Sequence, residues 1–284
     1  MSFFGFSDSI WLHWHPHLEV VAGLILVQSA YMYGIGSYRK KQATLATVNH
    51  RQTIMFTMGT LIIFLSLTSP LHILSDHYLF SAHMIQHVLI TLVSPPLLIL
   101  GTPGWLASKL FQKKWSLAIF KRIFHPIGAV VIFNIIFSIW HLPVLYGLSV
   151  AYHWVHILEH SLFILASLIM WWPICSQVQS IPKLIYPIQM LYLFVMSLAQ
   201  IIVFGIVTFA REPIYQHYID APRIWNITPL VDQQLGGIIM KVGSGFLFLF
   251  LIIIVFFKWF EEDSNSTETR YNSCLLYTSP SPRD

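Results

Sequence analysis

Seven runs of apolar residues, most of them long enough to cross a lipid bilayer, dominate this sequence of 284 residues. A transmembrane helix needs about 20 such residues. Only 10% of the residues are charged, whereas soluble domains carry about 25%. We therefore predict an all-α integral membrane protein in which one domain, residues 1–273, holds seven transmembrane helices. The predicted spans are residues 17–38, 52–72, 79–100, 126–141, 152–175, 183–210 and 235–260.

The last eleven residues, 274–284, resemble an in-frame translation of a sequencing adapter, and we expect them to be an artefact. Without them the chain keeps a single cysteine, Cys175. One cysteine can form neither an intramolecular disulfide nor a C-x-x-C metal site. Any site for a soft metal ion must therefore rest on histidine and methionine.

Lysine and arginine residues cluster in alternate connections between the predicted spans. Twelve of them fall on one side of the membrane, and two, Arg211 and Arg223, fall on the other. Basic residues concentrate in the cytoplasmic loops of membrane proteins. We therefore expect the N-terminus to lie outside and the C-terminus in the cytoplasm.

The histidines show the opposite asymmetry. Of fourteen, only His50 and His125 fall towards the predicted cytoplasmic side. The third and fifth spans run in the same direction, and each carries two histidines four residues apart, which places both on one helix face. Paired imidazoles on neighbouring helices can hold a metal ion, and neutral imidazole suits copper, zinc and iron. The predicted metal ligands are His83, His87, His156 and His160. The alternative is that these histidines only form hydrogen bonds between helices.

Five further residues are candidates for additional ligands or for support around the ligands: Met84, His141, His153, Glu159 and Lys241. Met84 could bind Cu(I) through sulfur, or it could simply fill the core. Glu159 and Lys241 lie at similar depth in their spans, so they could form an ion pair. Alternatively, Glu159 orients a neighbouring imidazole, and the Lys241 side chain reaches up to the membrane surface.

Two shorter patterns leave other metal chemistry open. The tract His13-Trp14-His15-Pro16-His17 could bind a metal, or it could be an interfacial start of the first helix. The sequence His156-x-x-Glu159-His160 matches H-x-x-E-H, the inverted signature of some zinc proteases. That match predicts a hydrolase in which Glu159 is the general base and Glu212 or another histidine is the third zinc ligand.

Several motifs, taken in order, resemble the CtaG family of assembly factors for caa-type cytochrome c oxidase. The resemblance covers nearly all of residues 11–260. The motifs are Ser81–His87, Ser94–Pro103, Trp140–Pro143, His156–His160, Trp171–Pro173 and Asp232–Gly237.

The resemblance implies a seven-span protein of the bacterial cell membrane that is needed to make active oxidase and is linked to copper insertion. It implies that the protein is not an enzyme and that its partners are oxidase subunits and the bilayer, with no nucleic acid. The histidine motifs of the family fall on the four predicted metal ligands. The resulting hypothesis is a metallochaperone or assembly scaffold that holds Cu(I) between the third and fifth spans. A copper permease or a haem-binding redox protein is the alternative.

Overall fold

The regular structure of this chain is helical throughout the part that the computed structural model describes. That part comprises residues 14, 17–41 and 47–278, with side chains described as far as residue 265, and it contains no strand. The helices are α1 Leu18–Lys41, α2 His50–Thr68, α3 Pro70–His77, α4 Phe80–Gly101, α5 Gly104–Ala107, α6 Lys114–Ile123, α7 Pro126–Trp140, α8 Pro143–Ala151, α9 His153–Cys175, α10 Tyr186–Thr208, α11 Gln216–Asp220 and α12 Pro229–Thr278.

Six of these helices are long and apolar enough to cross a membrane, namely α1, α2, α4, α9, α10 and residues Pro229–Asn265 of α12. A seventh span exists if α6 and α7, which meet at a bend of 67°, are counted as one. Helix α7 alone has 15 residues, about 22 Å at 1.5 Å per residue, which is shorter than the hydrocarbon core of a bilayer. The prediction of an all-helical membrane protein is therefore confirmed, with six or seven spans.

Two predicted span boundaries differ from the structure in ways that affect the site. The second span does not continue to residue 72, because α2 ends at Thr68 and Ser69 caps a new helix that has Pro70 in its first turn. The last span begins at Pro229 and not at residue 235, so Asp232 lies in the first turn of α12. Of the expected artefact, residues 274–278 continue α12, and residues 279–284 lie outside the described part.

Helix α4 is the central element, since it packs against α2, α9 and α12. The contact with α2 depends on glycine: a Cβ atom at Gly101 would lie 2.4 Å from the backbone nitrogen of Phe56. The Tyr31 hydroxyl of α1 donates a hydrogen bond to the Gly101 carbonyl oxygen at 2.9 Å. This packing fixes the rotation of α4 about its axis and therefore decides which of its side chains face α9.

Candidate metal centre

The first turn of α4 is held by a carboxylate from another helix. Its own N-cap residue, Leu79, offers no side-chain acceptor. Instead, Asp232 of α12 accepts hydrogen bonds from the backbone nitrogens of Phe80 and Ser81, at 2.6 and 3.1 Å, and from the Ser81 hydroxyl at 2.5 Å. The first N–H groups of a helix have no partner within the helix, so Asp232 fixes the position from which His83 projects.

The residues that follow Asp232 hold α12 in place. Gln233 accepts a hydrogen bond from the Ile214 backbone nitrogen at 2.6 Å and donates one to the Val207 carbonyl oxygen at 3.0 Å. A Cβ atom at Gly236 would lie 2.5 Å from the Phe80 ring, and one at Gly237 would lie 2.2 Å from the Thr208 hydroxyl. The motif Asp232–Gly237 therefore acts through hydrogen bonds and close backbone approach.

Three of the four predicted metal ligands come together as one cluster, which we call the core group: His83 and His87 of α4 and His160 of α9. All three are buried. The centroids of their rings are 4.3 Å apart for His83 and His87, 5.9 Å for His83 and His160, and 5.5 Å for His87 and His160. One ligating atom from each residue lies within 4.8 Å of the others.

The ring nitrogens of the core group have the chemistry of a metal site. Within the described part of the chain, His83 Nε2, both ring nitrogens of His87 and His160 Nε2 have no hydrogen-bond partner. A buried polar atom left without a partner costs about 1–3 kcal/mol. Imidazole nitrogens bind an ion at about 2.0–2.1 Å, so atoms that share an ion lie at most about 4.2 Å apart. The three side chains would therefore hold one ion after closing up slightly from their present separation, which is within 4.8 Å.

Glu159 places a carboxyl group beside the core group. Its Oε1 atom lies 4.0 Å from His83 Nε2 and 3.8 Å from His87 Nε2, and its Oε2 atom lies 3.9 Å from His156 Nδ1. These distances are too long for hydrogen bonds. The side chain is only 1% exposed, and a buried carboxylate needs a compensating charge. A cation held by the core group would supply that charge.

Lys241 does not supply it. Its ammonium group donates a hydrogen bond to the Ser197 carbonyl oxygen at 2.6 Å and lies 5.8 Å from the centroid of the Phe204 ring. The ion pairs among the described residues include none between Glu159 and Lys241. The ion-pair interpretation drawn from their similar depth is therefore wrong, because the two side chains point to different neighbours.

His156, the fourth predicted ligand, belongs to a neighbouring cluster, which we call the middle group: His72, Asp76 and His156. His156 Nε2 lies 3.5 Å from Asp76 Oδ1, and His72 Nε2 lies 3.4 Å from Asp76 Oδ2. The middle group adjoins the core group, since the rings of His156 and His160 have centroids 4.3 Å apart.

The other candidates lie around these clusters. His153 joins His17 and Glu19 in a third cluster, which we call the rim group. His141 donates from Nδ1 to the Phe137 carbonyl oxygen at 2.7 Å, which leaves Nε2 as the unprotonated nitrogen. Met84 is buried in the apolar core. His13 and His15 lie outside the described residues.

The family model for cytochrome c oxidase caa3 assembly factors matches residues 29–262. The chain belongs to this family. The resemblance inferred from the sequence motifs is thereby confirmed.

Two relatives among characterised and uncharacterised proteins are distant from this chain in sequence. An uncharacterized protein of Mycobacterium bovis and one of Mycobacterium tuberculosis are each 25% identical to the chain over 201 residues. The matched region covers 65% of this chain and 30% of each relative, so the chain spans about a third of their length. No solved structure matches it.

Sequence reasoning missed three features of this caa3 assembly factor family member. His72 and Asp76 have the same four-residue spacing as the predicted histidine pairs, which could have revealed them. Tyr146, from a helix outside the spans, packs against His83 with ring centroids 5.3 Å apart, and its hydroxyl lies 2.7 Å from that of Tyr218. Burial raises the pKa of both phenols well above the usual range. Both phenols therefore stay neutral. Asp232, quoted only as part of a family motif, caps α4.

Proposed function

We propose that this protein assists assembly of a caa3-type cytochrome c oxidase by holding copper, as cargo, in the core group. The observation that carries the proposal is the convergence of three buried imidazoles from two helices, with unpartnered nitrogens beside a buried carboxyl group. The family match supports the oxidase as the client. We further propose that the N-terminus faces outside, that the site lies in the outer half of the bacterial cell membrane and that oxidase subunits receive the copper.

The ligand chemistry fits temporary storage. His83, His87 and His160 would bind the ion through neutral nitrogens, and Glu159 would balance its charge. No cysteine contributes to the core group. Thiolates hold soft metal ions tightly, so an imidazole site releases copper to an acceptor more readily. Nothing in this role requires the protein to catalyse a reaction.

The packing on the far side of the core group favours a chaperone over a permease. The Phe163 ring packs against the His87 ring, with centroids 4.5 Å apart. Met170 and Trp171, further along α9, are 1% and 2% exposed. A permease needs metal ligands that continue across the membrane, whereas the buried polar side chains on this side, Thr91, Ser94 and Ser167, carry only hydroxyl groups. Thr91 and Ser94 donate theirs to backbone carbonyl oxygens at 2.6 and 2.9 Å.

The arrangement supports the zinc hydrolase alternative less well. That alternative requires His156 and His160 to bind one ion while Glu159 activates water. His156 and His160 are close enough to share an ion in passing, but the group of three histidines that contains His160 is completed by His83 and His87 of α4 and not by His156, whose Nε2 atom lies 3.5 Å from Asp76 Oδ1. The Glu159 carboxyl group faces histidines of both α4 and α9.

The test is the copper content of detergent-purified protein after loading and desalting. We expect near-stoichiometric copper in the wild type, its loss in the His83→Ala/His160→Ala variant, and wild-type content in His77→Ala, which removes an exposed histidine outside the three groups. Cells that carry the double variant should lack active caa3 oxidase. Absence of copper from folded wild-type protein would contradict the proposal, and a Soret absorption band would point to haem.

A further inference from the structure

We propose that the rim group, His17, Glu19 and His153, is a second metal site through which copper enters, and that the middle group passes the ion on to the core group. The proposal that this route ends at the core group rests on the proposed function. The rim site itself is inferred from the geometry of its three residues. The family match assigns no site here, and the sequence patterns named His17 and His153 only separately, without Glu19 and without a shared site.

The rim group offers two nitrogens and one carboxylate at an accessible position. His153 Nε2 lies 2.7 Å from Glu19 Oε1, and His17 Nδ1 lies 3.5 Å from the same oxygen. The ligating atoms of all three residues lie within 4.8 Å of one another. Their side chains are between 29% and 47% exposed. Imidazole and carboxylate ligands together suit Cu(II) and zinc, and the exposure lets an arriving ion keep part of its water shell.

The imidazole rings form a continuous row from the rim to the core. Ring centroids are 5.1 Å apart for His153 and His17, 5.0 Å for His17 and His72, and 5.7 Å for His72 and His156. His156 then lies 4.3 Å from His160. Two imidazoles that bind one ion at about 2.0–2.1 Å have centroids at most roughly 6.5 Å apart. Every step along the row therefore lies within the separation that two rings sharing one ion can have.

One carboxyl group accompanies each group of histidines, and its exposure falls along the row. The side chain is 35% exposed for Glu19, 25% for Asp76 and 1% for Glu159. Moving an ion directly from water to a buried site carries a large desolvation cost. The three carboxyl groups divide that cost into steps and keep a negative charge beside the cation at each one.

One cavity borders at least one histidine of each group. It has a volume of about 470 Å³ and lies between α1, α2 and α9. Its lining includes His17, Glu19 and His153 of the rim, His72 and His156 of the middle group and His160 of the core. The rest of the lining is mostly apolar, as at Leu24, Ile63 and Leu168, so the path of an ion would follow the histidine side of the cavity.

The rim can be altered without damage to the fold, because exposed ion pairs contribute little to stability. The first experiment measures the rim site with the core group removed, in the His83→Ala/His160→Ala background. Cu(II) is titrated, and its electron paramagnetic resonance spectrum is recorded. We expect exchangeable Cu(II) with nitrogen coupling, which desalting removes but the titration detects, and an affinity about tenfold lower or worse once Glu19→Gln and His153→Ala are added. Equal Cu(II) binding with and without these two substitutions would overturn the rim site.

The second experiment measures how fast the core fills. Metal-free protein is mixed with Cu(II) in one series and with Cu(I) under anaerobic ascorbate in another, and chelator-resistant copper is followed over time. The Glu19→Gln/His153→Ala variant should load about tenfold more slowly and reach the same final content. His156→Phe, which keeps the ring but removes its nitrogens, should also load slowly, whereas His77→Ala should match the wild type.

The outcomes separate the two proposals. Loading of the rim variant at the wild-type rate would overturn the entrance route even if copper reaches the core group. A wild type that never acquires chelator-resistant copper would overturn the storage function and the route to it. In that case the Cu(II) titration still decides whether the rim group is a metal site.

Discussion

Replacement of Glu159 by glutamine should lower the copper affinity of the core group about 100-fold, at the upper end of the effect of residues that support metal ligands. The carboxyl oxygen Oε1 lies 3.8 Å from His87 Nε2, so its charge acts on a bound cation at short range in a medium that screens weakly. Glutamine has nearly the same shape but no charge. Competition with a chelator of known affinity, for wild type and Glu159→Gln side by side, measures the change.

The stability of the metal-free protein should not fall when Glu159 is replaced. Glu159 Oε2 has no hydrogen-bond partner among the described residues, and removal of a buried, poorly compensated carboxyl group is often neutral or stabilising. The thermal unfolding midpoint of metal-free Glu159→Leu should therefore equal or exceed that of the wild type. Weaker copper binding together with unchanged or higher stability is the combination expected if Glu159 serves copper binding and not stability.

A buried polar residue away from the site provides the matched control. Gln189 of α10 is 3% exposed and donates a hydrogen bond to the Leu184 carbonyl oxygen at 2.6 Å. Gln189→Leu should lower the unfolding midpoint and leave copper affinity unchanged. If Glu159→Gln behaved in the same way, Glu159 would be a structural residue and the core group would lose its counter-charge.

The pairing of His83 with His87 on one face was predictable because helical periodicity is local, and their approach to α9 followed from the parallel direction of the two spans. The placement of His160 and His156 in two different groups was not predictable from the sequence. It depends on how α9 is rotated against α4, and the packing of the whole bundle sets that rotation. The similar depths of Glu159 and Lys241 carried no information about how their helices are rotated. For that reason the ion pair predicted from depth was wrong.

The middle group was missed because the predicted second span ran through residue 72. The pair Ser69-Pro70 was the available signal: serine is a favoured N-cap and proline fits the first helical turn. Recognition of that start would have placed His72 and Asp76 on a short separate helix, where their spacing of four residues puts them on one face. The prediction gave more weight to the apolar character of residues 52–72 than to the helix start at Ser69-Pro70.

Replacement of Asp232 by alanine should destabilise the protein by at least about 3 kcal/mol, since Asp232 accepts three hydrogen bonds, each hydrogen bond to a charged group contributes about 1.5–3 kcal/mol, and contributions at one site do not add fully. The loss leaves the backbone nitrogens of Phe80 and Ser81 without their acceptor. The first turn of α4 would then fray, and His83 would lose its fixed position. We therefore expect weaker copper binding as well as a lower unfolding midpoint.

Two comparisons separate this positioning role from general destabilisation. Asp232→Asn keeps one oxygen acceptor and should restore much of both stability and copper affinity. Asn49→Ala removes the N-cap of α2, where Asn49 accepts a hydrogen bond from the Arg51 nitrogen at 3.0 Å, and should cost about 1 kcal/mol with copper affinity unchanged. If Asp232→Ala lowered the midpoint but bound copper as tightly as Asn49→Ala, the cap would stabilise the bundle without positioning His83. Because His83 lies within the first turn after the cap, we expect the two variants to differ.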